Sequence, residues 1–130
     1  MQDPKWGAGV DVEVHGDVVV VAHNRPERRN AMDPQSGEDV AQAIDHYLAD
    51  QNVRVLVLTG RGGHFCAGGD IQSMRSEGGM SAEVGRKRMR KSLRRAERMY
   101  TCDKPIIAAV EGAAFGGGFA TVLLADLVIA

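Results

Sequence analysis

VRVLVLTGRGGHFCAGGDI, residues 53–71, is the stretch on which the fold turns. It opens with Val53, Val55, Leu56, Val57 and Leu58, a β-branched and apolar run that predicts a strand over 53–59. A run so uniformly apolar is expected to be buried on both faces, as in a sheet covered by helices. Residues 60–69 then form a glycine-studded loop, and 70–76 predict a short helix that Glu77, Gly78 and Gly79 break. The order is strand, glycine loop, helix. Residues 104–130, KPIIAAVEGAAFGGGFATVLLADLVIA, give the same order again. There a strand over 106–110 precedes a glycine loop over 111–118. A helix over 119–125 and the start of a strand over 127–130 follow.

Upstream of this core lies a hairpin. Val10, Val12 and Val14 alternate with Asp11 and Glu13, which predicts a half-buried strand. His15, Gly16 and Asp17 mark a turn, and 18–22 is a second, β-branched strand. Residues 24–30, NRPERRN, form a polar loop in which Pro26 disfavours helix for the residue before it. Asp33 and Pro34 read as an N-cap and first helical residue, and Val40, Ala41, Ile44, Tyr47 and Leu48 predict a helix over 34–49. A second long helix is expected over 81–100, with Leu93, Ala96, Met99 and Tyr100 as its apolar stripe. Strands alternating with helices place the chain in the α/β class. Residues 1–9 read as a leader in which Trp6 is either docked or disordered, and 10–130 as part of one domain. The apolar strand at the end, at Ala130, carries the expectation that more protein or another chain completes the sheet.

Composition narrows the function. With 16 basic and 17 acidic residues the net charge is -1, so there is no general attraction to nucleic acid or anionic membrane. The basic face of the second long helix, Arg86 to Arg98, is read as solvated rather than as a nucleic-acid surface, since aromatics are only 5%. Cys66 and Cys102 show neither a C-x-x-C nor a Cys/His metal spacing, and read as reduced packing residues of a cytoplasmic protein. No metal is expected. The longest apolar stretch, 121–130, is interrupted by Asp126 and too short to span a bilayer.

The glycine loops carry the chemistry. Both follow strands directly, and ligands in open α/β sheets bind at the carboxyl ends of strands. Glycine lets a ligand approach the backbone. The first N–H groups of a helix have no internal partner and sit at its positive end. Three glycines, Gly116, Gly117 and Gly118, ahead of Phe119 aim such donors at an anion. If Gly69 in the first loop does the same, two N–H groups meet on one oxygen as an oxyanion hole. By itself the triple also fits a phosphate site or close packing of helix on strand. Neither G-x-x-x-x-G-K-[ST] nor G-x-G-x-x-G is present.

Taken together, the segments are more specific. Residues 24–32, NRPERRNAM, resemble the N-R-P-x-x-x-N-A-[LM] motif of the crotonase (enoyl-CoA hydratase/isomerase) superfamily. Residues 53–71 resemble its V-x-x-[IV]-V-[IL]-T-G-x-G-x-x-F-[SC]-A-G-x-D-[IL] block, and residues 104–130 its K-P-[VI]-I-A-A block with the glycine triple. The three stand in the family order and cover nearly all the chain. The resemblance implies a ββα spiral assembled as trimers or paired trimers. It implies an acyl-coenzyme A substrate of fatty acid metabolism, with coenzyme A part of the substrate and no separate cofactor. It places the oxyanion N–H groups at Gly69 and Gly117, and the second long helix near the acyl pocket, with Met89 or Leu93 as candidates to shape it. It lines the coenzyme A groove with Arg28, Arg29, Ala31, Ala67, Gly68, Gly69, Asp70, Ile71, Gly116 and Gly117, with either arginine available to a phosphate.

One position departs from the pattern. Hydratases of the family carry glutamate two residues past the triple, where this chain has Ala120. Alanine cannot move a proton. This favours an isomerase, or an acyl-CoA-binding protein with little hydratase activity, and leaves any acid–base carboxylate to a region after residue 130. Glu111 is read as a structural or interface carboxylate, His64 as a solvated loop residue, and Asp70 as the cap of the helix it precedes.

Overall fold

The computed structural model describes residues 4–76, 78 and 80–130. The first three residues of the leader, and Glu77 and Gly79 of the expected break, lie outside the described residues. Five strands form one sheet in the order β1 (Val10–His15), β2 (Val18–His23), β3 (Val55–Gly60), β4 (Ile106–Ala109) and β5 (Leu127–Ile129). The first pair is the antiparallel hairpin, turned at Gly16 (φ 64°) and Asp17. The other pairs are parallel. Each parallel step is made by a crossover containing a helix: α1 (Pro34–Ala49), α2 (Ile71–Ser76) with α3 (Ala82–Thr101), and α4 (Gly117–Leu123).

Register explains the core. Val19 pairs with Leu56 and Leu56 with Ile106, while Val21 pairs with Leu58 and Leu58 with Ala108. Side chains alternate across a strand, so these six share one face. All six are buried, and Val40, Ile44 and Tyr47 of α1 pack into the same cluster. The opposite face, with Val55 and Val57, is only half-buried. The expectation that β3 is covered on both sides is therefore corrected within the described residues: the helices lie against one face.

Helix ends follow local chemistry. Asp33 accepts from Ser36 N (2.7 Å), and Ser36 Oγ accepts from Asp33 N (3.1 Å), closing a capping box before Pro34. At the other end of α1, Lys104 Nζ donates to the carbonyls of Tyr47 (2.8 Å) and Asp50 (2.5 Å), placing a cation at the negative end of the helix. Trp6 docks: its ring lies 5.4 Å from His46 and 5.7 Å from Tyr47.

The stripe expected on α3 holds for Leu93, Ala96 and Met99, which face one apolar pocket with α1, but not for Tyr100. Met99 is its buried residue, whereas Leu93 and Tyr100 are exposed. Charge joins α3 to α1 as well. Lys91 pairs with Glu38 and Arg98 with Asp45, each at 2.7 Å. Both pairs span 53 residues, so the two helices run parallel with a constant offset. The basic face is thus partly tied to a neighbouring helix rather than wholly solvated.

Candidate functional site

Beyond the carboxyl ends of β2, β3 and β4, three extended segments continue the sheet. The central one is 65–70. It receives on one side residues 29–32 and on the other 111–115. Ala67 N donates to Arg29 O (3.0 Å), Met32 N to Gly68 O (2.7 Å), and Asp70 N to Met32 O (2.9 Å). Across the other edge, Phe65 N donates to Glu111 O (2.8 Å), Cys66 N to Ala113 O (2.9 Å), and Phe115 N to Cys66 O (3.0 Å). Bridges between Met32 and Gly69, and between Cys66 and Ala114, are the formal ladder contacts.

This ladder orients the first of the two predicted donors. The Gly68 carbonyl is turned toward Met32. The peptide is planar and trans, so the N–H of Gly69 is turned away from Met32. Gly117 is the first residue of α4, which begins two residues earlier than the sequence predicts. Apolar periodicity starts only at Phe119, but the backbone is already helical. Ala120 N donates to Gly116 O (2.9 Å) and Gly118 N to Phe115 O (2.9 Å). Among the described residues, neither Gly69 N nor Gly117 N has a hydrogen-bond partner. The loops are in close contact. A Cβ at Gly116 would lie 3.7 Å from Gly68 Cα, and one at Gly118 would stand 2.5 Å from Cys66 O. Met32, bridged to Gly69, also reaches Gly117, where an added Cβ would meet its Cε at 3.1 Å.

Arg28, Arg29, Ala31, Ala67, Gly69, Asp70 and Ile71 line one open groove of about 320 Å³. Gly68 and Gly116 lie at the loop contact behind it, and Gly117 lines a different pocket. Arg28 is already engaged, with Asp70 Oδ1 at 3.2 Å and Gln72 Oε1 at 2.7 Å. Arg29 is exposed and, among the described residues, its guanidinium has no partner. Asp70 is buried and caps α2 by accepting from Gln72 N (3.0 Å), as expected. It is also clamped by Arg25, whose Nη1 donates to Asp70 Oδ2 (2.7 Å) and to Ala31 O (3.0 Å). That bond, with a second from Arg28, holds its carboxyl down to about 2 against the opposing effect of burial.

A second pocket, about 310 Å³ and largely apolar, lies where α1, α3 and α4 meet. Met32, Ile44, Ala96, Met99, Ala120 and Leu124 supply much of its wall, and Gly117 its rim. Leu93 lines it and Met89 does not. Among the described residues, no carboxylate lines it. Ala120 therefore presents a methyl group to the pocket beside the Gly117 donor. Glu111 is exposed, with its backbone carbonyl in the ladder. Cys66 is fully buried, and burial pushes its thiol up, so packing is its role. His64 is not simply solvated: its Nδ1 accepts from Ala113 N (3.0 Å) and helps join the loops.

Sequence reasoning missed three residues. Asn30, 1% exposed with φ 58°, accepts from Arg25 N (2.7 Å) and donates to the carbonyls of Arg61 (2.9 Å) and His64 (2.6 Å), tying the loops after β2 and β3. Arg25 was legible as a motif residue but not as the clamp on Asp70. His23 lines the apolar pocket, and the predicted strand stopped one residue short of it. Among the described residues there is no cluster of three His, Cys, Asp or Glu placed for a metal ion, and no helix long and apolar enough to cross a membrane.

Comparison with known proteins agrees with this geometry. The enoyl-CoA hydratase/isomerase family model matches residues 13–130. A Thermus thermophilus protein assigned as an enoyl-CoA hydratase is 41% identical over 88% of the chain and 45% of its own length. A hydroxycinnamoyl-CoA hydratase-lyase of Pseudomonas fluorescens is 36% identical over 92% of the chain and 44% of its length. The crystal structure of an enoyl-CoA hydratase/isomerase (crotonase) from Legionella pneumophila superposes with a TM-score of 0.85. It is 32% identical, over 94% of this chain and 47% of that one. The chain thus spans a little under half the length of the curated relatives it matches. A matching family model over almost the whole chain and a shared crotonase-like fold show that it belongs to the enoyl-CoA hydratase/isomerase family.

Proposed function

We propose that this chain contributes the thioester-binding half of an enzyme that acts on acyl-coenzyme A and stabilises an enolate oxyanion with the N–H groups of Gly69 and Gly117. One observation carries the reading. Two loops after adjacent parallel strands are laced together, and each holds one N–H, at Gly69 and at Gly117, that is unspent among the described residues. Two fixed dipoles at one oxygen lower the energy of the charge that develops there, and they need no reorganisation when it does. The groove holding Arg29, Ala31, Ala67 and Ile71 takes the coenzyme A portion, with Arg29 as the free cation for a phosphate. The apolar pocket beyond Gly117 takes the acyl portion.

Among the described residues this pocket offers no carboxylate for proton transfer. Alanine at position 120 removes one family carboxylate, so the reading assigns the acid–base role to a carboxylate outside residues 1–130. That favours double-bond isomerisation over hydration, because hydration uses two such groups. The same observation supports a second reading, an acyl-CoA-binding protein with little hydratase activity. The exposed apolar residues of α4 and β5, Phe119, Leu123, Leu127 and Ile129, support assembly as a homotrimer or hexamer.

Assay of the protein on crotonyl-CoA beside a 3-enoyl-CoA, with binding measured in parallel, separates the readings. Turnover of the 3-enoyl substrate supports the enzyme. Tight binding of both with turnover of neither selects the binder. Failure to bind any acyl-CoA contradicts both.

A further inference from the structure

His23 ends β2, and its side chain enters the apolar pocket rimmed by Gly117 and Ala120. It is 6% exposed. Its ring packs edge-on against Phe65 at 5.5 Å, and among the described residues neither ring nitrogen has a hydrogen-bond partner. Buried polar groups are nearly always satisfied, so one that is not calls for an explanation. The fully enclosed orphan atoms are Asp45 Oδ1 and Arg95 Nε. The His23 nitrogens are not among them, so they retain access, and the pocket is what they border.

Of the other polar side chains on the pocket, Ser92 is exposed, and Thr121 and Arg95 sit beside groups of their own. Thr121 Oγ1 bonds Gly117 O (3.0 Å). Arg95 lies 3.8 Å from Asp45 and shares that carboxylate with Arg98. Of the polar side chains that line the pocket His23 is the buried one, and among the described residues neither its donor nor its acceptor has a partner. Burial lowers its titration from 6.5 to about 4, so at neutral pH the ring is uncharged, with one N–H and one bare nitrogen. An uncharged ring does not select an anion. It matches a hydroxyl or carbonyl, which the same apolar walls otherwise exclude.

We infer that His23 is a specificity-determining residue: it selects acyl groups that carry a hydroxyl or carbonyl oxygen of their own, by hydrogen bonding inside the apolar pocket. This rests on the proposed function only in taking the pocket to hold the acyl portion. A polar group built to meet a substrate oxygen discriminates because it is left unpaired when that oxygen is missing. Replacing it with a hydrocarbon of similar size removes that penalty for plain acyl chains.

The test is calorimetric binding of hexanoyl-CoA, 5-hydroxyhexanoyl-CoA and 6-hydroxyhexanoyl-CoA to the protein and to His23→Leu and His23→Gln. The expected result is that one hydroxylated thioester binds about tenfold tighter than hexanoyl-CoA. The preference disappears in His23→Leu, which keeps or improves hexanoyl-CoA binding, and persists in part in His23→Gln. Equal binding of all three thioesters, or a preference that survives in His23→Leu, overturns the inference while leaving the proposed function intact. Absence of binding to all three overturns both. Thermal melts of the variants accompany the titrations. A His23→Leu protein that does not fold transfers the decision to His23→Gln, where total loss of the preference in a folded protein also overturns it.

Discussion

Replacing Gly117 by proline isolates a single hydrogen atom. Position 117 is the first residue of α4, where proline is tolerated because its missing N–H has no partner within the helix. The preceding Gly116 has ψ -123°, outside the helical region that a following proline disfavours. The new ring's Cβ would meet Met32 Cε at 3.1 Å, a flexible side-chain end that can give by a few tenths of an ångström. Backbone and core are therefore expected to stay in place. What is lost is one oxyanion donor, about 3–4 kcal/mol of transition-state stabilisation, or roughly a hundred- to thousandfold in kcat. Gly117→Ala is the control. It adds the same Cβ and keeps the N–H, so its turnover should remain near that of the parent. The assay is steady-state turnover of an enoyl-CoA substrate beside coenzyme A affinity, which should change little in either variant. If the folded proline variant keeps parental turnover, or if alanine is as damaging as proline, the N–H of Gly117 is not the stabilising group.

Other expectations follow from the packing. Arg25→Met removes the bonds to Asp70 and Ala31 and leaves the buried Asp70 with Arg28 as its remaining guanidinium; urea denaturation should show a loss of about 2–3 kcal/mol. Gly118→Ala places a methyl 2.5 Å from Cys66 O, a backbone atom that cannot swing aside, and should lose about 1–3 kcal/mol in the same measurement. His23 titrates lower in the folded protein than in the unfolded chain, so the unfolded state takes up the extra proton between about 6.5 and 4. Stability should fall by about 3 kcal/mol as pH drops through that window, and His23→Leu should flatten this fall in pH-dependent melts. Asp70 acts at lower pH: its carboxylate is favoured in the fold, so its contribution is present above 3.8 and lost as pH approaches 2.

Much of this architecture was legible because its signals are local. Asp33 and Pro34 announce the start of α1, and the capping box bears that out. Gly16 and Asp17 announce the hairpin. The strand that begins at Val55 rather than Val53 shows the limit of an apolar run as a boundary marker, since Val53 is buried without joining the ladder. The start of α4 was missed by two residues because glycine contributes no side-chain periodicity, although its backbone bonds are already helical. On α3 the apolar stripe was legible at Leu93, Ala96 and Met99, but the charged contacts beside it were not. Arginine and lysine that face α1 find Glu38 and Asp45, and no reading of α3 alone supplies those partners.

At the candidate site the glycines were legible as a class. Their mutual placement was visible only through likeness to a family, because three loops far apart in sequence must be brought side by side. Asn30 and Arg25 stabilise that arrangement through bonds to backbone carbonyls, a role that any polar loop residue could have held. The order of strands in the sheet determines which loops adjoin, and here β2, β3 and β4 are neighbours.

A crystal structure of the protein with a bound coenzyme A thioester puts the shared-oxygen geometry to its most direct trial. The account predicts the thioester oxygen within about 2.7–3.1 Å of the nitrogens of both Gly69 and Gly117. A thioester oxygen that contacts neither nitrogen, or one alone, contradicts it.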